Sequence, residues 1–162
     1  MSIKSLFLIG VVGLFSQSAA AENFEIAEQY IASYTSFDLE QLEKLYSEGA
    51  AFKDLTTESR GEKAFIIEGR DNILERFGKP FFQDKFSLHY AVDNKFESSG
   101  HHVFNGVVTA RTDTKNGVKY SCGNVITIIK IVDEKVVSHI DYADYKGFKE
   151  SGKNEGKDCH HF

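Results

Sequence analysis

Two pairs of residues have the types and spacing to move a proton. Tyr30 and Asp54 stand 24 positions apart. Tyr30 lies on the apolar side of a helical stretch with Tyr34 one turn further on, and Asp54 closes an extended stretch after Phe52. A carboxylate turned into an apolar cavity gains basicity because desolvation disfavours its anion, and a phenol can donate to a developing oxyanion. A core tyrosine and a loop carboxylate capping backbone would leave the same trace. His139 and Asp141 are two positions apart in a run of period two, so they share one strand face while Ile140 and Tyr142 take the other. An imidazole oriented by a carboxylate is a proton relay. A solvent-facing polar strip at a sheet edge has that pattern too.

Other chemistry finds less support. Asn105, Thr109 and Arg111 share a strand face with Val103 and Val107, a mixture that suits a pocket wall and equally a half-exposed strand. His101 and His102 are adjacent on a strand and point to opposite faces, so they cannot ligate one ion together. Cys159-His160-His161 alone offers too few ligands for a metal site. There is no Gly-rich phosphate loop, G-x-S-x-G elbow or CxxC. No metal and no cofactor are expected. Cys122 and Cys159 are the two cysteines, and an oxidising compartment would favour a disulfide between them.

These residues need elements to hold them. Phe24, Ala27, Ile31 and Tyr34 recur at helical spacing and predict a helix over 23–35. Asp38 reads as the N-cap of a second helix, with Gln41 at the capping-box position, a stripe of Leu39, Leu42, Leu45 and Tyr46, and Gly49 to end it. Ala50–Lys53 reads as a short extended piece, and a polar loop follows. Arg70–Phe77 makes a third helix, stopped by Gly78 and Pro80. From Phe86 the period becomes two, predicting strands over 86–97, 101–112, 118–132 and 135–145 joined by tight turns. Strands that long twist and curl. The fold class is α+β: a cone-shaped, curved antiparallel meander closed by three N-terminal helices around a pocket. Residues 146–162, rich in Gly and Lys, read as a flexible C-terminal tail.

Composition bounds the rest. A chain of 162 residues is about one domain. A net charge of −5 with no basic block argues against nucleic-acid binding, and the 14 Phe argue against disorder. Residues 1–21 form a signal peptide: Lys4 supplies the positive start, Leu6–Phe15 the apolar run, and Ala19-Ala20-Ala21 the cleavage site. That run is too short for a membrane span, which needs about 20 residues. The mature domain, 22–145, is expected in the periplasm or outside the cell.

Four stretches, AEQYIASYTSFDLEQLEKLYSEGAAFKD (27–54), RGEKAFIIEGRDNILERF (60–77), GNVITIIKIVDEKVVSHI (123–140) and DYADY (141–145), resemble the nuclear transport factor 2-like superfamily, most closely its SnoaL-like and ketosteroid isomerase-like branch. The resemblance implies a cone with a pocket at its wide end; Tyr34, Phe52, Asn105 and Thr127 are the candidates for its lining. In ketosteroid isomerases a helix tyrosine and an aspartate after the first strand have a spacing similar to Tyr30 and Asp54. Thr127 stands where those isomerases carry a protonated acid, and a hydroxyl donates more weakly, so 3-oxosteroid isomerisation is not implied. The resemblance also implies that the His139/Asp141 face looks inward. It suggests a small apolar ligand, cofactor-free acid–base chemistry of the isomerase, dehydratase, cyclase or hydrolase kind, and a homodimer. A non-catalytic binding or dimerisation module of the same fold is the alternative.

The export signal is directly measurable. Intact-mass analysis of the secreted protein should give a chain beginning within a residue or two of Ala21; a mature species retaining Met1–Phe15 would sink it.

Overall fold

The structure, a computed structural model, describes residues 13–56, 58, 61–143 and 149–151, and of 13–22 and 149–151 the backbone alone. Helix α1 (Gly13–Ser36) is followed by α2 (Leu39–Leu45), β1 (Tyr46–Asp54), β2 (Phe65–Glu68), α3 (Arg70–Phe77), α4 (Pro80–Asp84), β3 (Phe86–Ser98), β4 (His101–Thr114), β5 (Gly117–Val132), β6 (Lys135–Ala143) and β7 (Lys149–Ser151). The strands form one curved, unclosed sheet in the order β2-β1-β6-β5-β4-β3, with β7 alongside β5. The expected α+β cone is therefore present. The meander β3–β6 is antiparallel as expected, whereas β1 joins β6 in parallel.

The helices lie against the concave face. Ala27, Tyr30 and Ile31 of α1 are buried there, matching the stripe read from sequence. At the end of α1, Phe37 adopts φ 52°, a left-handed conformation usually left to glycine. Its ring is held by Phe77, Phe82 and Phe86 at 5.6, 5.3 and 5.9 Å, a contact that offsets the backbone strain. Asp38 then caps α2 by accepting the Gln41 N–H at 3.1 Å.

Several boundaries differ from the sequence reading. Tyr46 leaves the helical stripe and starts β1, because its ring packs edge-on against Tyr30 at 5.1 Å and its hydroxyl meets the Tyr30 hydroxyl. Tertiary contact outweighs local period there. Lys135 donates to the Lys44 carbonyl at 2.5 Å and closes the shortened end of α2. Pro80, expected only to stop α3, also opens α4 at its first turn, where its missing N–H costs nothing. Strand β2 was not expected; it pairs antiparallel with β1, Asp54 opposite Phe65. Within the expected tail, Lys149–Ser151 form β7 against 120–122. Cys122 is disulfide-bonded, and Cys159 lies outside the described residues. Among the described residues no helix is long and apolar enough to cross a membrane.

The sheet bends sharply at one point. The register of β3 on β4 slips between Val92 and Asn94, opposite Gly106. A Cβ on Gly106 would lie 2.1 Å from the Ala91 carbonyl oxygen and 2.9 Å from the Val92 Cα. The strands approach so closely there that only glycine fits. Gly106→Ala should therefore lower stability by about 1–3 kcal/mol in denaturant unfolding, since backbone must move to admit one methyl. A neutral effect would show that the bulge does not need glycine.

Candidate proton-transfer site

Strand parity decides which side chains face inward. On β6, His139, Asp141 and Ala143 point to the concave face; on β1, Ala50, Phe52 and Asp54 do. On β5 the inward set includes Val125, Thr127 and Ile129. Register then stacks them: Thr127 lies opposite Asp141 on one side and Phe104 on the other, and Asp54 lies beside Asp141.

The hydrogen bonds join into one chain. The Tyr46 and Tyr30 hydroxyls are bonded to each other, and the Tyr30 hydroxyl lies 2.7 Å from Nδ1 of His139. Nε2 of His139 lies 2.9 Å from Oδ2 of Asp141, off the direction of a well-formed hydrogen bond, so that contact is electrostatic. Asp141 also accepts from Tyr34 at 3.1 Å and from Thr127 at 2.5 Å. With Nδ1 unprotonated, Tyr46 donates to Tyr30, Tyr30 donates to Nδ1, and the Nε2–H faces the carboxylate. The Tyr46 and Tyr30 protons then each meet an acceptor.

The electrostatics fit that assignment. Burial pushes the Tyr30 and Tyr34 phenols well above their ordinary range, reinforced by Tyr46 for Tyr30 and by Asp141 for Tyr34. Tyr46 is raised as well, mainly by burial. All three are neutral donors near pH 7. For Asp141, burial alone would raise the carboxyl, but the adjoining His139 and the hydrogen bonds from Thr127 and Tyr34 together outweigh it. Its value is held below the ordinary 3.8.

The concave face encloses a cavity of about 670 Å³, the size range of small-molecule sites. Its wall includes Tyr34, Phe52, Asp54, Phe77, Thr127 and Asp141. Tyr90 helps form the wall too, its hydroxyl shared between the carbonyls of Phe104 (2.9 Å) and Val125 (3.1 Å); burial pushes it up to about 12.

The structure sorts the residues singled out in the sequence. Tyr34, Phe52, Asp54, Thr127 and Asp141 meet at the cavity wall. Tyr30 and His139 are wholly buried and do not line it, so a direct contact between Tyr30 and a ligand is corrected to a place one layer behind. The rings of Phe52 and Tyr34 cover the imidazole at 4.5 and 4.7 Å. Asp141 is the part of the network that reaches the cavity, its side chain 13 % exposed. Asp54 also faces the cavity, but its Oδ1 accepts the Thr56 N–H at 2.9 Å and the Thr56 hydroxyl, which commits it to a turn. Asn105 is corrected: it pairs with Ile126 on the convex face, because inward positions on β4 are the even ones, His102, Phe104 and Gly106. Tyr46 and Arg76 were missed. Tyr46 was absorbed into a helical stripe, and Arg76 is one charge on an amphipathic helix, with no sequence sign of its direction.

No family model matches this chain, and no curated protein matches it. Solved structures do. A protein assigned as a SnoaL-like polyketide cyclase, from Shewanella putrefaciens CN-32, superposes with a TM-score of 0.67 at 16% identity, covering 88% of this chain and 95% of its own. A nuclear transport factor 2-like protein from Burkholderia xenovorans LB400 gives 0.60 at 17% identity, covering 78% and 92%. An LEH-like epoxide hydrolase from M. tuberculosis gives 0.59 at 12% identity, covering 78% and 86%. Likeness at such identities speaks to architecture: the chain has the nuclear transport factor 2-like fold in the form taken by SnoaL-like proteins.

Proposed function

We propose that this is an exported protein that encloses a small, mostly apolar molecule in its cone and moves a proton on it without a cofactor. The observation that carries this reading is Asp141: an ionised carboxylate at the wall of an aromatic cavity, with a buried His139–Tyr30–Tyr46 chain behind it. The carboxylate is the proton acceptor. Tyr34 and Thr127, which both line the cavity and donate their hydroxyl protons to Asp141, fix its orientation. His139 steadies the anion from behind, and the phenol chain holds the imidazole in one tautomer. SnoaL-like cyclases and the LEH-like epoxide hydrolase share the fold, which supports acid–base chemistry in such a cone without specifying the reaction.

Engagement of Asp141 by two hydrogen bonds and an adjoining imidazole favours a second reading, a binder in which the carboxylate is only a hydrogen-bonding anchor. The two differ in proton exchange. In heavy water, a panel of small apolar ketones and enones should gain deuterium at the carbon next to the carbonyl faster with the protein than in buffer. Asp141→Asn should cut that rate by about 10²–10⁴. Thermal-shift binding without any exchange would leave the binder reading. The same variant tests the electrostatics. A carboxyl held below its ordinary value adds stability above 3.8 that disappears as pH falls through its lowered folded value. Wild-type stability should therefore drop in that acid window, and Asp141→Asn should lack that part of the drop.

A homodimer through the convex face belongs to the proposal. Ile126 and Tyr142 lie opposite each other there, 40% and 52% exposed. Light scattering should give twice the chain mass for wild type and the single mass for Tyr142→Lys; a wild-type monomer would remove this part of the reading.

A further inference from the structure

We propose that the molecule taken by the cavity is an apolar acid, whose carboxylate is held by Arg76 while its hydrocarbon body lies among the phenylalanines. This rests on the cavity being a ligand site and adds the chemical class of the ligand.

Helix α3 carries Arg76 beside the buried Phe77, and Arg76 forms part of the cavity wall. Its guanidinium carbon lies over the ring of Phe65 at 5.4 Å and over that of Phe82 at 5.3 Å, both in the same wall. Two aromatic faces offset part of the desolvation of the cation and restrict its fork, but they leave its N–H donors unused. Nε is buried with no hydrogen-bond partner. Arg70 and Arg111 lie 3.1 and 2.7 Å from Asp71 and Asp113, whereas Arg76 has no carboxylate within ion-pair distance among the described residues. The two carboxylates of the wall are engaged elsewhere, Asp141 with Tyr34, Thr127 and His139, and Asp54 with Thr56.

A partly buried cation without an anion is costly, and a bidentate carboxylate answers both its charge and its geometry. The rest of the wall fixes the orientation. Arg76 stands on the helical side and Asp141 on the sheet. An acid is attracted to the first and repelled by the second, so its apolar end is delivered to Asp141. The body between them meets Phe52, Phe77 and Phe86.

The test uses the full mature chain and matched pairs of equal shape: benzoate and benzamide, cinnamate and cinnamamide, 2-naphthoate and 2-naphthamide, by calorimetry at pH 7. At least one acid should bind about tenfold or more tighter than its amide. Arg76→Gln should bring the pair to within about twofold while the amide's affinity stays the same, and Arg76→Lys should keep part of the preference. Amides binding as tightly as acids to wild type would overturn the proposal and leave the cavity reading intact, with no variant needed. A preference that survives Arg76→Gln in a variant with a wild-type circular dichroism spectrum would also overturn it. No binding of any probe would count against both.

Discussion

A buried imidazole needs something on each nitrogen, and much of this fold follows from satisfying His139. Its Nδ1 meets a phenol from α1, its Nε2 faces a carboxylate two residues along its own strand, and the phenol is in turn bonded to Tyr46 at the start of β1. The chain thus joins three elements that are far apart in sequence. It also explains the local departure from helical period at Tyr46: a helix extended to Gly49 would carry that hydroxyl away from Tyr30. Leaving a buried histidine unpartnered costs more than shortening a helix by a turn. Thr127 and Tyr34 extend the network to β5 and the far end of α1, so the carboxylate at its tip is fixed from several directions.

The phenylalanines explain why a cavity survives beside that network. Rings from α1's end, β1, α3, α4 and β3 contact one another at 5–6 Å in edge-on or tilted pairs, as in Phe37–Phe82, Phe52–Phe77 and Phe82–Phe86. Rigid rings leaning on each other brace a wall without filling the space it encloses, which flexible aliphatic chains would tend to do. The bulge opposite Gly106 curves the sheet around the same space. Curvature and aromatic bracing come from distant parts of the sequence and act on one void.

What the sequence made legible follows from periodicity. The long strands, the Asp38 cap and α3 each have a local signature, and the structure places them within a few residues of expectation. The inward face of His139 and Asp141 came from a resemblance; period two alone left both faces open. Asn105 shows the cost of that ambiguity, since its neighbours Val103 and Val107 looked like a wall but face outward. Strand β2 has four residues and depends on β1 for its pairing. Tyr46 and Arg76 were opaque for a different reason: their roles arise from contacts with other elements, Tyr30 for the first and Phe65 and Phe82 for the second. Spacing along one element cannot express such contacts.

Two carboxylates face the cavity, and their surroundings give them unequal work. Asp54 ends a strand and folds back on Thr56, so ordering that turn is enough to account for it. Asp141 sits within β6, and it accepts from α1 and β5 while His139 of its own strand adjoins it. A carboxylate on the concave face of a sheet is expensive to desolvate. Its donors lower that cost without removing it from the wall. An apolar side chain of similar size would stabilise the core more simply. The arrangement makes physical sense when the anion itself is needed at that wall, and Arg76 on the facing helix gives the complementary sense of direction. Asp141 holds negative charge in the cavity wall, and Arg76 of the same wall carries positive charge that no carboxylate among the described residues answers.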